Sequence, residues 1–292
     1  MPMIVDLSAP PVTSPVTVVS PDGWFQAAVD PVYAGVVLAV DYTASTPLAG
    51  AANVRKVRIR RQDPGSPATL PVRSGNAAWA IGGVGTAYDH EAPLGVAVVY
   101  TAVPEYADGM TGPTSSVSVT VPAPEPPVDV WIKSVDEPTL SALVTVTSWP
   151  ALQWEGRIES AQVEGSRYPT ASQSVYNASS SEITIDAEGD EIEVLERLLT
   201  TPGVRLIQTL PGYRRPDQFV LFTGVTQAVD TTPDGARTYT ASVLEVARPA
   251  TEGQPLRVPG WSWDVVAGEF ASWDAFDASY PSWASASVDG AL

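Results

Sequence analysis

Apolar and polar residues alternate along much of this chain with a period of two. "VRKVRIRR" (Val54–Arg61), "GVAVVYTAVP" (Gly95–Pro104) and "SSVSVTVP" (Ser115–Pro122) show it most plainly. Successive strand residues point to opposite faces, so this pattern predicts strands with one side in a core and the other in water. Val98, Tyr100 and Ala102 then share one face, as do Val117, Val119 and Val121. "PVTVVS" (Pro15–Ser20), "GVVLAVDY" (Gly35–Tyr42) and "AAWAIG" (Ala77–Gly82) are also short and apolar. Turn residues bound these segments at a spacing that suits a β-sandwich.

The same reading predicts seven more strands between residues 129 and 249. They are "VWIKSV", "SALVTVTSW", "RIESAQVEG", "SEITIDA", "VRLIQTL", "QFVLFTGVTQAV" and "RTYTASVLEVA". One interruption is helical, over about residues 190–200, in "GDEIEVLERLLTTPG". There Val194, Leu195, Leu198 and Leu199 fall on one face, Asp190 suits the N-cap, Glu193 completes a capping box, and Pro202-Gly203 ends the helix. One short helix docked on a β-barrel or sandwich fits this order.

The pattern changes again near the C-terminus. Ser-Trp pairs recur every ten residues, at Ser262-Trp263, Ser272-Trp273 and Ser282-Trp283. Val266 and Phe270 follow Trp263 by three and seven residues; Phe276 and Tyr280 follow Trp273 in the same way. These offsets lie on one helical face. Ser262 and Ser272 suit N-caps, with Asp264 and Asp274 in the favourable first turn. A tail of short amphipathic helical repeats is predicted, blocked by Pro281 before a fading third unit. Helices this short are marginal alone, and burying each large group contributes roughly 1.5–3 kcal/mol, so the apolar face calls for a partner. Three destinations compete for Trp263, Val266, Phe270, Trp273, Phe276, Tyr280 and Trp283: another chain, the protein's own barrel, or sugar stacked on exposed Trp.

The expected divisions are 1–123, a Pro-rich linker at 124–128, 129–249, and the 250–292 extension. Prolines 122, 124, 126 and 127 favour an extended, semi-rigid spacer that holds the flanking domains apart. Composition agrees with a mainly β protein: 44% apolar, with 28 Pro and 22 Gly among 292 residues. A net charge of −17 argues against nucleic acid as a partner, because a phosphate backbone would be repelled. The absence of cysteine excludes disulfides and thiolate chemistry. The N-terminus lacks a signal-peptide pattern, and no run approaches the ~18 apolar residues of a membrane span. The expectation is a product made in the cytoplasm, without membrane insertion.

Candidate chemistry is sparse. His90 in "AYDHEAPLG" is the only histidine, and the expectation is a surface-loop residue. The acidic run Asp186–Glu193 lacks the ligand alternation of a Ca²⁺ loop, and helix capping explains it better. No nucleophile elbow, P-loop, zincin or dinucleotide motif is present. The chain reads as a non-enzyme with no cofactor. Arg55, Lys56, Arg58, Arg60 and Arg61 hold five of its 16 positive charges. The strand pattern turns Lys56, Arg58 and Arg60 away from Val57 and Ile59, either as a solvated face or as an electrostatic contact with an acidic neighbour.

Two resemblances add to this reading. The V-x-Y-x-A strand at Val98–Ala102, the Gly loop and Ser pair in "EYADGMTGPTSSVSVTV", and the closing strand resemble a fibronectin type III domain. Val96 stands where such domains usually carry Tyr. "RYPTASQSVYNASSSEITI", "EIEVLERLLTTPGVRLIQTLPG", "DQFVLFTGVT" and "ARTYTASVLEVARP" resemble minor tail proteins of long-tailed, siphovirus-type phages that infect actinobacteria. That family often ends in short repeats beginning Ser/Thr-Trp/Tyr-Ala/Asp. The resemblance implies a virion structural protein at the distal tail or tail tip. It would work by assembly with other copies in a ring and with neighbouring tail proteins. A host-receptor or carbohydrate-binding module of the tip, contacting host surface glycan, is the alternative.

Overall fold

The computed structural model describes residues 17–43, 54–73, 75–76, 78–80, 83–125, 129–189, 191–213, 215–229, 235–250, 266–268 and 270–280, with backbone only at Trp79 and Val229. It is mainly β. The strands of the first unit are β1 (Thr17–Val19), β2 (Phe25–Asp30), β3 (Gly35–Asp41), β4 (Val54–Gln62), β5 (Thr69–Pro71), β6 (Ala78–Trp79), β7 (Val84–Asp89), β8 (Ala97–Tyr106) and β9 (Ser115–Thr120). One antiparallel sheet runs β1-β2-β3-β7 and the other β5-β4-β8-β9, with β6 paired to β4. Together they close a β-sandwich over a single core.

Alternation does here what the pattern requires. Val98, Tyr100 and Ala102 of β8 face Val117 and Val119 of β9 within that core. β3 is buried on both faces, which is why "GVVLAV" reads as an unbroken apolar run. Val36, Leu38 and Val40 enter the main core, while Val37 and Ala39 pack with Ala28 and Tyr88 on the other side. Three strands escape the sequence pattern, β5 ("TLP") being too short to show one. In β2 ("FQAAVD") and β7 ("VGTAYD") small Ala and Gly residues blur the alternation. Of the expected 77–82 strand, β6 pairs with Lys56 and Val57, while Ala77, Ile81 and Gly82 lie outside the described residues.

The second unit comprises β10 (Val130–Ser134), β11 (Ser141–Ser148), β12 (Gly156–Ala161), β13 (Thr170–Tyr176), β14 (Ser180–Ala187), α1 (Glu191–Thr200), β15 (Arg205–Gln208), β16 (Gln218–Val229) and β17 (Arg237–Glu245). Six strands form a closed barrel in the order β10-β11-β14-β17-β16-β15, with β15 returning to β10. Its interior holds Val130, Ile132, Val144, Ile183, Ile185, Ile207, Val220, Tyr239, Ala241 and Val243. Closure pairs every barrel strand on both sides and removes free edges.

Helix α1 packs Leu195, Leu198 and Leu199 onto this core, whereas Val194 turns partly outward. Asp190, the expected N-cap, lies outside the described residues. The other end is held by Arg205, which is buried and donates to the carbonyls of Leu198 (3.1 Å), Thr201 (2.6 Å) and Val204 (3.3 Å). Carbonyls left over at a helix C-terminus gain donors this way, and the guanidinium charge meets the negative end of the dipole.

Sandwich and barrel meet directly; residues 126–128 of the Pro-rich stretch lie outside the described residues. The contact follows from strand register. Val130 and Ile132 point into the barrel, which turns Trp131 and Lys133 outward beside Leu143, Ser141 and Gln208. Trp131 and Leu143 pack against the sandwich core. An outward face bearing Trp and Leu is not a solvent face, and the sandwich covers it.

Candidate functional site

Among the described residues, the strands β12 and β13 stand apart from the barrel. They form an antiparallel two-stranded sheet inserted between β11 and β14, with every residue exposed. Large apolar groups that a monomer would ordinarily bury lie open here. Ile158 is 61% exposed, Tyr168 72%, Val175 71% and Tyr176 60%, and Trp154 and Val163 flank them. Pairing of Gly156 with Tyr176 sets Ile158 and the Tyr176 ring on the same face, since a Cβ built at Gly156 would touch both. Two free strand edges plus exposed apolar side chains make this hairpin the most adhesive feature of the described surface. The segment pattern predicted one strand here, "RIESAQVEG", and missed its partner. β13 ("TASQSVY") is dominated by small polar residues whose alternation carries no apolar face.

The basic cluster divides in two. On β4, Arg55, Arg58 and Arg60 are exposed and Lys56 is half-buried, so these four form a basic strip on the outer face. Arg58 pairs with Glu105 at 2.9 Å and Arg60 donates to Thr69 Oγ1 at 3.1 Å. Arg61 does not belong with them. It follows Ile59 onto the inward face, where Nη1 meets Asp89 at 2.8 Å and Nε meets Asp63 at 2.7 Å. Period two makes this a necessity: residues 57, 59 and 61 share one side.

The C-terminal aromatics fold on one another. Helix α2 (Trp273–Ser279) begins at Ser272, whose hydroxyl accepts from the Ala275 amide at 3.2 Å. A short helical turn at 266–268 precedes it. Val266 and Phe276 are buried, with Phe270 and Tyr280 packed against them. Phe270 meets Phe276 edge-on at 5.2 Å and Tyr280 at 5.9 Å, the geometry favoured by ring quadrupoles. Aromatics of successive ten-residue units thus contact each other. Trp273 remains 57% exposed. Trp263 and Trp283 lie outside the described residues.

His90 is not a surface-loop residue. It is buried between sandwich and barrel, with Nε2 3.0 Å from Ser141 Oγ and its ring stacked on Tyr88. Burial, then the charges of Lys133 and Arg73, hold its pKa well below the ordinary value. Nearby, Lys133 is completely buried and donates to the carbonyls of Ala34 (2.7 Å) and His90 (3.2 Å). Gln208 Nε2 reaches the carbonyls of Glu91 (3.3 Å) and Ala92 (3.1 Å), and Glu91 is clamped between Arg73 and Arg248. No sequence signal marked Lys133; only barrel closure and docking bury it. Among the described residues, no three His, Cys, Asp or Glu side chains cluster so as to hold a metal ion, and no helix is long and apolar enough to cross a membrane.

No protein-family model matches this chain, and no curated protein matches it.

Proposed function

We propose that this chain is a structural component of a phage tail, placed at the distal tail or tip of the virion, and that it acts by subunit assembly without catalysis. The observation that carries the proposal is the β12–β13 hairpin. A barrel whose own edges are closed extends one arm with free edges and exposed Ile158, Val175 and Tyr176, which suits pairing with a neighbouring subunit. The sandwich, in which the V-x-Y-x-A strand β8 pairs with the closing strand β9, supports reading the first unit as a fibronectin type III-like accessory module. The Ser272-capped helix and its aromatic contacts support a C-terminal tail of helical repeats that docks on an adjoining chain. Arg55, Lys56, Arg58 and Arg60 supply a basic strip for an acidic neighbour.

Cross-linking mass spectrometry on virions that carry this chain tests the reading. Cross-links from residues 156–176 to other copies or other tail proteins are expected, and their absence would overturn it. The exposure of Trp273 favours a second reading, a glycan-binding module of the tail tip. Saturable glycan binding lost in Trp273→Ala would establish that alternative.

A further inference from the structure

The polar groups that join sandwich to barrel are sealed from water, and two of them are bases. Lys133 spends its hydrogen bonds on uncharged acceptors, the carbonyls of Ala34 and His90. His90 has one ring nitrogen on Ser141 Oγ, while Nδ1 has no partner among the described residues. A protonated imidazole would need acceptors at both nitrogens. It would also place a further positive charge beside Lys133 and Arg73. The apolar cores of the two units are separate clusters, bridged chiefly by Trp131 with Leu143 and Leu210.

We propose that this seam is an acid-labile joint: as the pH falls through neutrality the sandwich opens away from the barrel while each unit keeps its own core. Opening returns both bases to water, where each binds a proton more readily than in the closed seam. Burial lowers the Lys133 pKa from 10.5 to about 7, against the attraction of Asp89, Asp217 and Asp30 and with the repulsion of Arg61. Between those limits opening takes up a proton, so a falling pH favours the open form by about tenfold per pH unit per proton. His90, held below 6.5, extends the same tendency to lower pH. Asp217 opposes it. Its pKa is raised by burial, so the closed form holds that proton more tightly once the pH falls toward 3.8. Glu91, with Arg73 on the sandwich and Arg248 on the barrel side, completes the charged groups at the seam.

The absence of cysteine allows a clean test. Ser118→Cys on the sandwich and Thr200→Cys on α1, both exposed, carry a donor and acceptor dye. Energy transfer in the full chain is expected to change progressively from pH 9 to pH 5 while far-ultraviolet circular dichroism, which reports the strands of each unit, stays constant. Lys133→Met should remove the slope between pH 7 and 9, and His90→Gln the slope below pH 6.5. Constant transfer across the range, or an unchanged slope in Lys133→Met, overturns the proposal. Hydrogen exchange on the unsubstituted chain guards against misfolded variants. Protection factors should fall with pH at residues 90–92 but hold in β8, β10 and β17. Simultaneous loss throughout both units would mean global unfolding and would also overturn the joint.

Discussion

Nη1 of Arg61 lies 2.8 and 3.1 Å from the two carboxylate oxygens of Asp89, under the sheet face on which Arg58 and Arg60 stand in water. Tyr100 Oη and the Glu91 amide, each 2.9 Å away, complete the carboxylate's shell. Removing one partner of a buried pair strands the other charge, at a cost of about 3–5 kcal/mol. Arg61→Met should therefore lower the urea midpoint of the sandwich strongly. Arg58→Met, which breaks an exposed pair, should cost only about 0–1 kcal/mol.

The same pair sets an acid limit. Burial alone would raise the Asp89 pKa, but the Arg61 charge and the hydrogen bonds outweigh it and hold the group below 3.8. Its contribution is therefore fully present above 3.8 and lost as the pH falls through the lower folded value. Acid titration followed by circular dichroism should show the stability deficit of Arg61→Met narrowing as the pH falls, because protonation neutralises the Asp89 carboxylate that the substitution leaves unpaired.

Gly35 opens β3 against the Tyr88 ring. A Cβ there would sit 2.1 Å from Tyr88 Oη, which donates to Asp30 at 2.8 Å. Gly35→Ala must push the ring aside, and overpacking of this kind costs about 1–3 kcal/mol. Thermal unfolding should report a lower midpoint.

On the hairpin the expected effect is the reverse: little change in stability and a large change in association. Ile158→Asp and Tyr176→Asp place charge on the exposed face that Gly156 leaves open. Sedimentation velocity should find less self-association, with the unfolding midpoint of the barrel unchanged.

The two aromatics of α2 should also part company. Phe276 is buried against Phe270, and a helix of seven residues has little stability of its own. Phe276→Ala is expected to unravel residues 266–280, seen as faster limited proteolysis there without a shift in the barrel's urea midpoint. Trp273 is 57% exposed but meets Phe276 edge-on at 5.8 Å, so Trp273→Ala should speed proteolysis less than Phe276→Ala does.

Where alternation was strong, as in β4, β8, β9 and β14, strand positions were legible from the residues alone. So was α1, because Leu195, Leu198 and Leu199 recur at helical spacing before Pro202-Gly203. The Ser272-capped helix was legible for the same local reason. β2, β7 and β13 were not, because Ala, Gly and Ser fill faces that other elements cover or that no element covers. Of the candidate surface, the basic strip could be read, although its last member, Arg61, belonged to the inward phase of the same strand.

By itself the sequence determined the local structure: the β character, the single barrel helix and the spacing of the terminal aromatics, all consequences of side-chain period and backbone preference. Only the tertiary structure decided which polar residues are dry and which apolar ones are wet. Barrel closure turned Lys133 and Gln208 outward, and the sandwich then covered them with His90. It also left Ile158 and Tyr176 on an arm that no described element covers. Burial is a property of what packs against a residue, and the partners of these residues lie far away in the chain.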